Sequence, residues 1–127
     1  MFASEIMTCK VSTIHPEASV QEVAHLLSSE RISGAPVVNA EGMIIGVVTE
    51  ADIIGKADRE GLCAADIMSR EVIAVKEDTP VYEIATLLAQ RKIKRVPVVR
   101  DGRLVGIVSR ADIVDAVARG YILVRDW

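Results

Sequence analysis

Apolar positions Val20, Val23, Ala24 and Leu27 recur at the i, i+3, i+4, i+7 spacing of a one-sided helix. Ser19 and Glu22 ahead of them form a capping-box pattern. A helix is therefore predicted from about residue 20. It should end by Ile32, because the proline at Pro36 disfavours helix just before it. The pattern then changes. Pro36-Val37-Val38 and Gly46-Val47-Val48-Thr49 are β-branched runs on either side of Asn39-Ala40-Glu41-Gly42, which predicts a hairpin. A second helix is predicted from Ala51 to about Ala57.

The same order returns later in the chain. Ile6-Met7 recurs as Ile67-Met68, Val11 as Val72, Val20 as Val81, Leu26-Leu27 as Leu87-Leu88, Ile32 as Ile93 and Pro36-Val37-Val38 as Pro97-Val98-Val99, each 61 positions on. From Gly42 and Gly102 the offset is 60, because the first hairpin turn is one residue longer. In the second copy Thr79-Pro80 supplies a cap and a proline at the first helical position, and Val81, Ile84, Ala85 and Leu88 repeat the helical spacing. Asp101-Gly102 signals a two-residue turn with both residues at positive φ. The last helix should run from Ala111 to Arg119, with Gly120 marking its end. Val11 to Ile14 and Val72 to Val75 are short extended segments.

The chain is thus two β-α-β-β-α repeats, at 1–60 and 61–127, joined by the short polar linker Asp58 to Ala64. The fold class is α+β, with helix and strand mixed in each repeat. A repeat of about 60 residues makes a marginal core alone, and pairing the two sheets solves that problem.

Composition sharpens the picture. Half of the 127 residues are hydrophobic, but only one Phe, two Tyr and one Trp are present. The core must be built from Val, Ile, Leu and Ala, as suits sheets covered by helices. The net charge of −3 argues against a nucleic-acid binder. Arg91, Lys92, Lys94, Arg95, Arg100, Arg103 and Arg110 nevertheless crowd together, either as a solvated basic face or to serve a small anion.

Cys9 and Cys63 lack metal or redox spacing, and His15 and His25 lack a partner carboxylate or thiol at suggestive spacing. No phosphate loop, nucleophile elbow or dinucleotide fingerprint appears, so no enzyme activity is expected. No leader and no stretch of about 18 apolar residues is seen, which points to a cytoplasmic protein without membrane contact. The tail Tyr121 to Trp127 should pack on the chain itself or serve a dimer contact.

The phrase Gly46-Val47-Val48-Thr49-Glu50-Ala51-Asp52-Ile53 returns as Gly106-Ile107-Val108-Ser109-Arg110-Ala111-Asp112-Ile113. It reads as a strand feeding a helix N-terminus. Thr49-x-x-Asp52 and Ser109-x-x-Asp112 admit two readings. In one, the side chains simply cap the helix. In the other, the hydroxyl and helix N-terminus attract an anion while the carboxylate accepts the two hydroxyls of a ribose.

The order of elements, the Gly34-Ala35-Pro36-Val37-Val38 and Arg95-Val96-Pro97-Val98-Val99 segments and the [ST]-x-x-Asp endings resemble a tandem pair of cystathionine-β-synthase (CBS) domains, a Bateman module. The likeness covers about residues 4 to 118. It implies repeats packed sheet to sheet with pseudo-twofold symmetry, leaving two clefts for AMP, ADP, ATP or another adenosyl ligand such as S-adenosylmethionine or NAD. No obligatory cofactor or metal is implied. One cleft would use Thr49 and Asp52 with Met68, Ile73, Ala74, Lys94, Arg95 and Val96. The other would use Ser109, Arg110 and Asp112 with Met7, Ser12, Thr13, Ser33, Gly34 and Ala35.

Lys94 and Arg95 stand where Ser33 and Gly34 do, so the Asp52 cleft should favour more phosphates, while Arg110 in place of Glu50 partly restores positive charge to the other. The resemblance further implies a homodimer that reports ligand to an effector protein. The rival reading is a structural dimerisation module with empty or degenerate clefts.

Overall fold

The computed structural model describes residues 1–56 and 60–120, which gather into two compact units. In chain order the elements are α1 (Ala3–Ile6), α2 (Val20–Glu30), β1 (Gly34–Val38), β2 (Ile44–Thr49), α3 (Glu50–Gly55), α4 (Ala64–Ile67), β3 (Val75–Lys76), α5 (Val81–Arg91), β4 (Arg95–Arg100), β5 (Arg103–Ser109) and α6 (Arg110–Ala118). The mixture is α+β, as the pattern requires. The tail expected to pack or dimerise, Tyr121 to Trp127, lies outside the described residues, as do 57–59 of the linker region.

One unit is Ser12–Val72. Its helix α2 starts as the capping pattern dictates, with the Glu22 N–H donating to Ser19 Oγ at 3.1 Å and the Ser19 N–H to Glu22 Oε1 at 3.3 Å. It stops at Arg31, which turns into the left-handed region at φ 55°. There the Ile32 N–H reaches back to the Leu27 carbonyl at 3.0 Å, satisfying a carbonyl at the helix end. The antiparallel pair β1–β2 runs from Gly34↔Thr49 to Val38↔Ile44, with Ile45 as an extra bulged residue. Asn39 shapes the turn by accepting the N–H groups of Glu41 and Met43 on its side-chain oxygen.

The other unit joins Met1–Val11 to the chain from Ile73 onward. Asp101 and Gly102 both have positive φ, at 51° and 79°, as the two-residue turn demands. The pair β4–β5 carries a register shift between Val98 and Val99, equivalent to that of the first hairpin. Helix α5 ends at Lys92 with φ 53°, the position equivalent to Arg31.

Three local expectations need correction. Pro80 is the N-cap of α5, one position before the first helical residue, and Thr79 does not cap the helix. Its hydroxyl instead accepts the Lys76 N–H at 2.9 Å and closes the preceding turn. The extended segments are also shorter than the pattern suggests. The first contributes one parallel bridge, Ile14↔Val37, and the second only the two residues of β3 beside β4. Finally, α3 and α6 each begin one residue earlier, at Glu50 and Arg110.

The four-residue helices α1 and α4 were not anticipated, and they reveal an exchange. The Ala3 N–H donates to the Thr79 carbonyl, and Thr8 bridges Ile107. Likewise the Ala64 N–H donates to the Ala18 carbonyl, and Ser69 bridges Val47. Each unit therefore combines the body of one repeat with the lead-in segment of the other.

Both cores are aliphatic among the described residues. Val23, Leu27, Val37, Val48 and Ile67 anchor one, and Ile84, Leu88, Val96, Val98 and Val108 the other. Two glycines of the repeated phrase make room for methionine. A Cβ on Gly46 would stand 2.8 Å from Met68 Cγ and 2.9 Å from the Ser69 carbonyl oxygen, and one on Gly106 would stand 2.5 Å from Met7 Sδ.

Candidate functional site

The repeated phrase forms two strand-to-helix junctions. Thr49 ends β2 with extended backbone and opens α3, and Ser109 does the same between β5 and α6. Asp52 Oδ2 accepts the Thr49 N–H at 2.8 Å and its hydroxyl at 3.1 Å. Asp112 Oδ2 accepts the Ser109 N–H at 2.9 Å, while the Asp112 N–H donates to Ser109 Oγ at 3.1 Å. Reciprocal capping therefore holds at Ser109, whereas at Thr49 only the carboxylate half is made, its hydroxyl donating to Asp52 and accepting no helix N–H among the described residues.

Capping does not use both carboxylate oxygens. At Asp112 the second oxygen, Oδ1, accepts the Thr8 hydroxyl at 3.3 Å. The hydrogen bonds to Asp52 all fall on Oδ2 among the described residues, so its Oδ1 keeps its lone pairs for another donor. The two junctions match in backbone and differ in side-chain occupancy.

Each junction lies against the pre-proline loop of its own unit. In one, Gly34 pairs with Thr49 and the Glu50 N–H donates to the Ser33 carbonyl at 2.9 Å. A Cβ on Gly34 would meet the Val48 carbonyl oxygen at 3.0 Å and Thr49 Cγ2 at 3.2 Å, a tight contact. In the other, Arg95 pairs with Ser109 and the Arg110 N–H donates to the Lys94 carbonyl at 3.0 Å. The Arg110 guanidinium folds back so that Nε donates to the Ile93 carbonyl at 3.0 Å. Arg95 Nε is buried and has no hydrogen-bond partner among the described residues.

The sequence-derived candidates thus divide by unit. Ser12, Thr13, Ser33, Gly34, Ala35, Thr49, Asp52 and Met68 belong to Ser12–Val72. Met7, Ile73, Ala74, Lys94, Arg95, Val96, Ser109, Arg110 and Asp112 belong to the other unit. Within a unit the loop and junction residues meet directly. Met7 and Met68 face the glycines of the hairpins and pack against the cores, and Val96 is fully buried.

Two neighbours escaped the sequence reading. Thr8 reaches Asp112, and the only hint was that its repeat equivalent, Ser69, is also a hydroxyl residue. Glu30 accepts the Ser12 hydroxyl. Nothing in periodicity marks that contact, which joins a helix end to a distant extended segment. No group of three metal-ligating side chains gathers among the described residues, and no helix among them is long and apolar enough to cross a membrane.

The CBS domain family matches residues 3–58 and 64–119. The CBS domain pair of protein MJ0100, solved with 5′-methylthioadenosine and S-adenosyl-L-methionine, is 31% identical with a TM-score of 0.80, covering 94% of this chain and 98% of that one. CBSX2 in complex with AMP, a protein of Arabidopsis thaliana, is 26% identical with a TM-score of 0.86, covering 95% and 98%. Inosine-5′-monophosphate dehydrogenase of Methanocaldococcus jannaschii is 32% identical over 113 residues, 88% of this chain. The chain spans 23% of that enzyme's length, and 59% and 43% of two further archaeal relatives. With both repeats matched and nearly the whole chain superposed on such pairs, the protein belongs to the CBS domain family, as a tandem pair.

Proposed function

We propose that this chain is a regulatory ligand-sensing module that binds an adenine nucleotide or another adenosyl compound and signals to a partner. The observation that carries the reading is its end-to-end likeness to two CBS pairs whose structures hold adenosyl compounds. The junction chemistry supports it. Asp52 Oδ1 is free among the described residues to accept a ribose hydroxyl while Oδ2 continues to cap. At Asp112 a ribose would replace the Thr8 hydroxyl on Oδ1.

Thr49 and Asp52 work with Met68, Ile73, Ala74, Lys94, Arg95 and Val96, and Ser109, Arg110 and Asp112 with Met7, Ser12, Thr13, Ser33, Gly34 and Ala35. The unpartnered Arg95 Nε suits a phosphate oxygen in the first of these. The module acts without catalysis, as a cytoplasmic homodimer whose output lies in an effector protein.

A thermal-melting panel of AMP, ADP, ATP, NAD and S-adenosylmethionine tests the proposal. A compound bound only by the folded state adds about 2.7 kcal/mol at a hundredfold excess over its Kd, which raises the Tm of a chain this size by roughly 10 °C. No shift with any compound at millimolar concentration favours the structural dimerisation module instead.

A further inference from the structure

The two half-sites are opposite in charge. By the repeat offsets, Glu30 stands where Arg91 does, Ser33 where Lys94, Gly34 where Arg95 and Glu50 where Arg110. The helix end and pre-proline loop of the Ser12–Val72 unit thus carry one carboxylate where those of the other carry three cations, while Glu50 and Arg110, at the junctions, fall to the opposite sites proposed above. Arg31 and Lys92, at equivalent helix ends, cancel in this comparison.

Glu30 does not serve its own helix. It is the last residue of α2, where the exposed carbonyl groups disfavour a carboxylate, and α2 has no basic residue in its last turn. Helix α5 carries Arg91 there, as the helix dipole prefers. What engages Glu30 is Ser12, whose hydroxyl donates to Oε2 from the first extended segment. Ile73, the equivalent of Ser12, has no hydroxyl to donate. A carboxylate is thereby held at Ser12, which adjoins Thr13 in the chain, and Glu30 itself stands three residues before Ser33. Across the repeat, the buried Arg95 Nε has no acceptor among the described residues.

We infer that Glu30 sets the ligand preference of its half-site, disfavouring phosphate and favouring adenosyl compounds that carry none, such as a neutral thioether or a cationic sulfonium. The half-site of Arg91, Lys94 and Arg95 takes the phosphorylated ones. This inference rests on the adenosyl-binding reading above. Glu30→Gln keeps an acceptor for Ser12 while removing the charge, so it isolates the electrostatic effect. A unit charge near a bound phosphate moves affinity by on the order of tenfold at the effective dielectric of a protein surface.

The test is calorimetric titration of the full chain with AMP and with 5′-methylthioadenosine. Glu30→Gln should tighten the weaker AMP site by about tenfold and leave 5′-methylthioadenosine within about twofold. Arg91→Gln, also a change of one charge, should weaken the tighter AMP site by a similar factor. Ligand-free melting of each variant at the wild-type temperature establishes folding, and Glu30→Gln should melt no lower, since it relieves the end of α2. If both compounds bind and neither variant changes their affinity ratio, the inference is overturned and the adenosyl-binding reading stands. If neither compound binds the wild-type chain, both fall together.

Discussion

Gly46 and Gly106 occupy the same place in the repeated phrase but answer to different neighbours. The three atoms nearest an added methyl at Gly106 all belong to the flexible Met7 side chain, with Sδ 2.5 Å away. At Gly46 it also meets the Ser69 carbonyl oxygen at 2.9 Å, and backbone cannot swing aside. Gly46→Ala should therefore lower stability by about 1–3 kcal/mol, the range for overpacking, and Gly106→Ala by less. The difference in denaturant midpoint between the two variants checks this, and equal losses would place the strain elsewhere. The repeated glycines were visible in the sequence, but their cause was not, because the methionines that need the space lie far away in the chain.

At the scale of elements, the second hairpin has a tie that the first lacks. Arg100 Nε and Nη2 donate to the two oxygens of Glu77 at 2.5 and 2.7 Å, bracing β4 against the segment after β3. The equivalent residues in the first repeat, Asn39 and Pro16, are uncharged. The hydrogen bonds from Arg100 hold the Glu77 carboxyl below its ordinary pKa. Because the folded value is the lower one, the pair's contribution is present above the ordinary glutamate range. It is lost as pH falls from about 4.5 through the depressed folded value. Glu77→Gln should remove this part of the acid dependence, read as a flatter decline in Tm between about pH 5 and 3.

Helices α2 and α5 were legible because eleven residues each show a full apolar stripe. Helices α1 and α4 were not, since four residues are too few for periodicity. The first extended segments were overread because β-branched residues favour strand only where a partner backbone is available.

For the whole molecule, repetition carried most of the information. Two copies of one weak motif identified the CBS pair, and the match at 3–58 and 64–119 bears that out. The exchange of lead-in segments was not legible, because the copies of Ile6-Met7 and Ile67-Met68 say nothing about which hairpin each will join. Charge asymmetry at Ser33 and Lys94 was readable from alignment of the repeats. Its extension to Glu30 needed the Ser12 contact. Binding of an adenosyl compound through the junction carboxylates is measured by calorimetric titration with ATP. The wild-type chain should give a saturable heat, weakened at least tenfold by Asp52→Ala and by Lys94→Ala. No saturable heat with the wild-type chain, or an affinity unchanged in both variants, would contradict the account.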